Sequence, residues 1–142
     1  MRPYPKTHFS RGVAMAAALL LVFPAPLIAQ AEPKALITGR CQYSDRIAQY
    51  RHETTLILCD TASIDRESTT ATLDFSQRSW GSTARFSSVM ADDQMTVSHL
   101  TLRNGSALAA SGTCQIFYHD NGHVSAISCL AKAGSRSVAA NF

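Results

Sequence analysis

The side chains that could do acid–base or metal chemistry are few in this sequence. His119 and His123 bracket an Asn-Gly pair, and a His-x₃-His spacing binds a metal ion when both rings lie on one face of a helix. The Asn-Gly pair predicts a tight hairpin instead of a helix, with His119 opposite Val124 and His123 opposite Asp120. The rings would then point to opposite faces of the strands. We therefore predict no metal site and no cofactor.

Hydrolytic chemistry has a weak basis in the sequence. His52 precedes Glu53 and could act as a general base beside a carboxylate, and His99 is a second candidate. No G-x-S-x-G motif provides a nucleophile. A small secreted hydrolase that pairs one of these histidines with a Ser or Asp is the alternative hypothesis. A histidine within hydrogen-bond reach of both a hydroxyl and a carboxylate in a pocket would support it.

The best candidates for contact with a ligand or partner are aromatic and arginine side chains in predicted loops. Trp80 is the only tryptophan and lies beside Arg78 in a predicted turn, where such a ring more often fills the core than anchors a ligand. Tyr50 and Arg51 belong to a loop over 44–53. Six aromatic residues are expected to fill or line the interior of the domain: Tyr43, Tyr50, Phe75, Phe86, Phe117 and Tyr118.

Four cysteines give the strongest constraint on the fold. An even number in an exported chain predicts two disulfides, and four cysteines allow three pairings. A two-residue turn at Asn121-Gly122 places Cys114 opposite Cys129, at a hydrogen-bonded pair whose Cα separation is near 5.5 Å. A three-residue turn with a bulge at Gly122 would turn the two sulfurs to opposite faces. The favoured pairing is Cys114 with Cys129 and Cys41 with Cys59.

Short strands must position these residues, because the alternation of apolar and polar side chains has a period of two. One short helix is possible over 47–51, after Ser44 or Asp45. The second strand, 54–59, is almost continuously apolar and is expected to be central. The last segment, 137–142, is expected to form a strand that could pair with the first. The predicted strands cover 35–41, 54–59, 70–76, 82–89, 95–103, 106–110, 114–119, 123–129 and 137–142.

These segments predict an all-β domain. About eight short strands linked by tight turns, with Asn104-Gly105 and Asn121-Gly122 as the clearest hairpins, favour an antiparallel meander. The meander would close as a small β-barrel or fold as a β-sandwich, stabilised by two disulfides. A small outer-membrane barrel is a weaker alternative, since the chain ends in Phe142 after an alternating segment, but the strands are short and carry Asp and Arg.

The N-terminal segment is typical of a secretory signal peptide. Arg2, Lys6 and Arg11 precede an apolar run over 13–23, which is too short to span a bilayer. Ala29-Gln30-Ala31 provides the small residues that a signal peptidase requires. We predict a signal peptide over 1–31 and an exported β domain over 32–142, in the periplasm or outside the cell.

Removal of this leader changes the charge of the chain. Three of the 13 basic residues belong to the leader, and the remaining ten balance the ten acidic residues. A neutral domain with dispersed arginines gives no basis for nucleic-acid binding. The sequence therefore favours a non-enzymatic binding or structural role, with a protein, an envelope component or a small ligand as partner, and no membrane-spanning segment in the mature domain. It leaves enzymatic activity open.

Overall fold

The computed structural model describes residues 34–103 and 105–142. The predicted signal peptide and Asn104 lie outside the described residues. The elements are β1 (Ala35–Thr38), α1 (Asp45–Ala48), β2 (Thr54–Leu56), β3 (Thr61–Glu67), β4 (Thr70–Gln77), β5 (Gly81–Ala91), β6 (Gln94–Leu102), β7 (Leu108–Tyr118), β8 (Val124–Ala133) and β9 (Arg136–Asn141).

The all-β prediction is confirmed, and the barrel-like alternative is the one adopted. The nine strands form a single sheet in the order β1-β3-β4-β5-β6-β7-β8-β9-β2, and this sheet curls into a half-barrel. Neighbouring strands are antiparallel except for β2 and β9, which run parallel. A parallel pair needs a long connection, and here the whole meander from β3 to β8 provides it.

The segment between β2 and β3 connects two distant parts of the sheet, β9 and β4, and so holds the sheet in its curled form. Ile57 donates its N–H to Ala139 O of β9, whereas Asp60 donates to Ser76 O of β4. Residues 57–60 therefore pass from the β9 side of the sheet to the β4 side. Only the first part of the second predicted strand, 54–59, therefore forms β2. This strand lies at an edge of the sheet, which corrects the prediction of a central strand.

The core lies on the concave side of the curled sheet. Alternate residues of each strand point inward, and Phe75 and Phe86 meet edge to face with ring centroids 5.7 Å apart, which contributes about 0.5–1.5 kcal/mol beyond their burial. The largest fully buried side chains are Phe75, Phe86, Leu73, Met95, Leu100, Ile116, Ile127, Val138, Cys114 and Cys129. By contrast, Phe117, Tyr118 and Tyr50 are exposed, so the expectation that they fill the interior was wrong.

Both disulfides have the favoured pairing, Cys41–Cys59 and Cys114–Cys129. The turn that leads to the second bridge differs from the prediction. Gly122 has φ of +82° and donates to His119 O at 2.9 Å, and a bulge follows between Phe117 and Tyr118. The bulge restores the pairing of Cys114 with Cys129 that the longer turn alone would have lost.

The bulge also changes which residue pairs of β7 and β8 are hydrogen-bonded to each other. Ile127 exchanges two backbone hydrogen bonds with Phe142, so Cys129, two residues further along, also directs its backbone toward β9. Cys114 and Cys129 are therefore a non-hydrogen-bonded pair of β7 and β8. Their Cα separation of 4.0 Å is the short spacing of such pairs, not the wide spacing expected from a two-residue turn.

Other predictions about the strands also need correction. The segments 106–110 and 114–119 form one strand, β7, and β3 was not predicted. The first Asn-Gly hairpin exists, but Gly105 N–H donates to Leu102 O, and pairing resumes only where Leu108 meets Leu100. The strand at the end of the chain, β9, pairs with β8 and β2 rather than with β1. A short helix is present, but it covers Asp45–Ala48 rather than the predicted 47–51, with Ser44 at its N-cap.

The two disulfides indicate an oxidising compartment outside the cytosol. No helix among the described residues is long and apolar enough to cross a membrane.

Candidate functional site

A mostly apolar depression lies beneath α1 and has a volume of about 270 Å³. Its walls come from the chain around α1 on one side and from β8 and β9 on the other. Ile47, Tyr50 and Leu130 line it while remaining exposed to solvent. Three large apolar side chains that share one depression form a patch, which is more informative than apolar residues scattered singly over a surface. We call this site the α1 depression.

Tyr43 fixes the floor of the α1 depression. Its hydroxyl lies 2.6 Å from Ile57 O and 3.0 Å from Ala139 O, so its single proton is shared between two carbonyls. Burial raises the pKa of Tyr43 above its usual 10.0, because the phenolate would lose hydration. The side chain therefore stays neutral at physiological pH and holds the segment before α1 against β9.

Asn141 closes one end of the α1 depression. Its side-chain Nδ2 donates to Gln42 O at 2.9 Å, and its backbone O accepts from Gln42 N–H. These two bonds connect the end of β9 to the segment that leads into α1. Hydrogen-bonded backbone, rather than a free loop, therefore supports the apolar walls of the depression.

The structure separates the four predicted contact residues into two places. Tyr50 lines the α1 depression, and Arg51 lies beside it but turns back, donating from Nε to Ala48 O at 3.0 Å. Arg78 and Trp80 lie in the connection between β4 and β5. That connection contributes no residue to the α1 depression.

Trp80 does not fill the core, which corrects the commoner expectation for a lone aromatic residue. It is 70% exposed, and the Arg103 guanidinium carbon lies 5.2 Å from its ring centroid. Such an exposed cation–π contact contributes about 0.5–1 kcal/mol. Arg78 donates its backbone N–H to the Asp60 carboxylate at 3.0 Å, which fixes the turn. The ring is therefore held by Arg103 but remains largely exposed to solvent.

The histidines do not form a catalytic arrangement in the described part of the chain. His99 Nδ1 lies 2.8 Å from Ser98 Oγ, but no carboxylate is hydrogen-bonded to its ring. His119 and His123 face each other across the turn, since His119 N–H donates to His123 O, and this corrects their predicted partners. His52 is exposed. In residues 34–103 and 105–142, no group of three or more His, Cys, Asp or Glu could hold a metal ion.

One buried carboxylate was not predicted. Asp74 of β4 lies on the outer face of the sheet and is only 9% exposed. It accepts hydrogen bonds from Ser76 Oγ at 2.9 Å, from Ser82 Oγ at 2.7 Å and from the Arg85 guanidinium at 2.9 Å. Every donor comes from β4 or β5, so the arrangement locks two neighbouring strands together. The two carboxylate oxygens of Asp74 already accept hydrogen bonds from these side chains, so the arrangement is a structural network rather than a site with a free acceptor.

Comparison of the chain with protein-family models, with curated proteins and with solved structures finds no match.

Proposed function

We propose that this chain is a non-enzymatic binding module of the cell envelope or the extracellular space, and that it holds a protein partner through the α1 depression. The observation that supports this function is the convergence of Ile47, Tyr50 and Leu130 on one apolar depression. Large apolar side chains that stay in contact with water at a shaped site lower the free energy of a complex when a partner covers them.

The size of the α1 depression favours a side chain of a protein over a free small molecule. Small-molecule pockets usually span about 300–1,000 Å³ and enclose most of the ligand, whereas this depression has about 270 Å³. That volume suits one aromatic or branched aliphatic anchor residue. Interface hot spots are such anchors in pockets, and tyrosine is enriched among them. Ser128 and Asn141 at the margin offer the polar rim that usually surrounds an anchor pocket.

The test combines site-specific crosslinking with affinity measurement. The 142-residue chain is expressed with export intact and purified with both disulfides formed. A photo-crosslinking amino acid replaces Leu130, and in a matched protein it replaces Leu108, which is also exposed but does not line the depression. A partner that crosslinks from position 130 and not from 108 is then purified for titration.

The titration decides the proposal. Tyr50→Ala and Leu130→Asp should each weaken binding of the purified partner by at least tenfold, about 1.4 kcal/mol. Trp80→Ala should leave affinity within about twofold, because Trp80 lies outside the depression. The reverse result, with loss of affinity in Trp80→Ala alone, would move the contact to the β4–β5 turn and overturn the assignment to the α1 depression.

A further inference from the structure

A second cavity, of about 500 Å³, lies where free edges of the curled sheet approach each other. Residues 35–37 of β1, with Ile64 and Arg66 of β3, form one wall. Tyr118, the turn that follows it, and Val124 at the start of β8 form the other wall. We call this gap the seam. It shares no lining residue with the α1 depression.

The seam is closed by backbone contacts at one end. At the other end, which we call the open end, a side-chain hydrogen bond from the Arg66 guanidinium to the Tyr118 hydroxyl at 3.1 Å joins the two walls. Gln42 and Asn141 are hydrogen-bonded to each other, and Gly39 packs so closely under the ring of Phe142 that a Cβ there would lie 2.7 Å from Cζ. Beyond Phe142, residues 124–126 of β8 have no strand beside them on that side within the described part of the chain. An occupant would therefore continue the line of β9.

Among the described residues, no strand pairs with the backbone groups of β1 that face the seam. Gly39 N–H donates to Asp60 O, and the same register runs back along β1 and β3. Because alternate residues of a strand direct their N–H and C=O to the same side, Ile37 bonds toward β3. Leu36, which lines the cavity, then presents its N–H and C=O to the seam, and Thr38 presents its own on the same side of β1. A row of unpaired backbone groups is a template for another strand.

The direction of the strands fits one orientation of the occupant. The successive antiparallel pairings from β1 to β8 make these two strands run in the same direction. A strand between them that runs in the direction of β9 would be antiparallel to both. Such pairing is slightly more stable per residue than parallel pairing.

The side chains of the seam indicate the chemistry of the occupant. Ile37, Ile64 and Val124 form its inner surface, whereas Leu36 stands outward and is 73% exposed. Arg66 and His123 lie at the open end. No Asp or Glu of the described residues lines the cavity, but the Arg66 guanidinium lies 3.6 Å from the Asp93 carboxylate and donates to Asp92 O. Apolar side chains at alternate positions would complement the inner surface, and an acidic side chain at the open end would share the Arg66 guanidinium with Asp93.

We propose that the seam is a strand-addition site that takes an extended segment of a partner protein, antiparallel to β1. The segment carries apolar residues at alternate positions and an acidic residue where it passes Arg66. Backbone hydrogen bonds to Leu36 and Thr38 provide affinity, and the inner apolar surface selects side chains, as in other cases of strand addition. The proposal does not depend on the α1 depression.

The probe is the synthetic peptide acetyl-Thr-Val-Thr-Val-Thr-Glu, whose acidic end lies at the open end of the seam in the antiparallel orientation. Amide hydrogen exchange of the full chain is followed by NMR with and without millimolar peptide. Exchange at Leu36 and Thr38 should slow at least tenfold, whereas Val89, exposed on β5, should not change. Unchanged exchange at Leu36 and Thr38 would overturn the proposal.

A pair of variants separates backbone pairing from apolar contact. Leu36→Pro removes an N–H that faces the seam, at an edge position where proline is tolerated, and should weaken peptide binding at least tenfold. Leu36→Ala keeps the N–H and should weaken it by less than threefold. Equal effects would contradict strand addition. A chain that forms a dimer, and that becomes monomeric in Leu36→Pro, would identify a second copy as the occupant and also overturn the proposal.

Discussion

Tyr43 joins two segments that are far apart in the sequence. Its hydroxyl is shared between the carbonyls of Ile57 and Ala139, so Tyr43→Phe would keep the ring and leave both acceptors without this donor. We expect the free energy of unfolding to fall by about 1 kcal/mol, measured by urea denaturation at pH 7. Tyr50→Phe is the matched control. Because Tyr50 is exposed, this variant should lose little free energy of unfolding.

The raised pKa of Tyr43 predicts a pH dependence of stability at high pH. The unfolded chain releases this proton near pH 10.0, whereas the folded chain retains it to higher pH, so the unfolded state binds fewer protons in that window. Stability from this group is complete below the unfolded pKa and is lost as the pH rises toward the folded pKa. Tyr43→Phe should therefore lose less stability than the wild type above pH 10. Parallel profiles for the two proteins would contradict this.

Asp74 is the residue whose loss should damage the sheet most directly. Asp74→Ala would leave two seryl hydroxyls and the Arg85 guanidinium without their acceptor. Because Arg85 is half exposed, water screens the ion pair, and we expect a loss of about 1–3 kcal/mol. Asp93→Ala removes an exposed carboxylate 3.6 Å from Arg66 and should cost no more than about 1 kcal/mol. Equal urea midpoints for the two variants would contradict this difference.

At the scale of the elements, β7 and β8 approach each other closely at Gly112. A Cβ at this position would collide with Leu130 O and would lie 2.5 Å from Ala131 Cα, both of which belong to backbone that cannot rotate away. Gly112→Ala should therefore destabilise the protein by about 1–3 kcal/mol or more. Gly81→Ala is the control, because its φ of +77° is strained for alanine but nothing lies within 4 Å, and it should cost about 1 kcal/mol. A Gly112→Ala protein as stable as Gly81→Ala would disprove the close approach.

The strands with regular alternation were predictable, and β3 was not. Ala62, Ser63 and Ile64 are all buried, so a polar residue interrupts the apolar pattern, and Asp65, Arg66 and Glu67 then follow. The hairpin after β3 turns at Ser68, which has φ of +54° without being Asn or Gly. Neither a periodicity nor a turn signal marks this segment. The position of β3 in the sheet depends on its pairing with β4 and β1. The local sequence pattern does not indicate this pairing.

The candidate site was only partly predictable for a similar reason. Tyr50 was a predicted contact and does line the α1 depression. Leu130 and Tyr43 were missed as its neighbours, because they reach it from segments that are distant in sequence. Trp80 was predicted from its rarity, which carries no information on burial. The pairing of Cys114 with Cys129 was predictable because a hairpin is local, even though the turn itself was longer than expected.

At the scale of the whole molecule, the two disulfides should differ in their contribution. Each disulfide closes a loop of 15 to 18 residues. In the chain-entropy model, such a bridge stabilises the folded state by about 3 kcal/mol. Cys114 and Cys129 are also fully buried, whereas Cys41 is partly exposed and only its partner Cys59 is buried. Replacing Cys114 and Cys129 by alanine should thus cost more, since it also leaves a cavity in the core. Urea unfolding of both double variants tests this order, and a greater loss for the Cys41 and Cys59 pair would contradict it.

The oxidising compartment requires a route of export, and we expect residues 1–31 to provide it. In an exporting bacterial host, the mature protein should begin at Glu32 and should weigh less than its reduced form by the mass of four hydrogens, since both disulfides are closed. Ala31→Phe places a bulky residue where signal peptidase accepts only small ones, so uncleaved chain should accumulate. Gln30→Phe alters the unconstrained middle position and should be processed normally. Intact mass spectrometry measures all three, and native protein that retains Met1, or that carries four free thiols, would disprove export by this route.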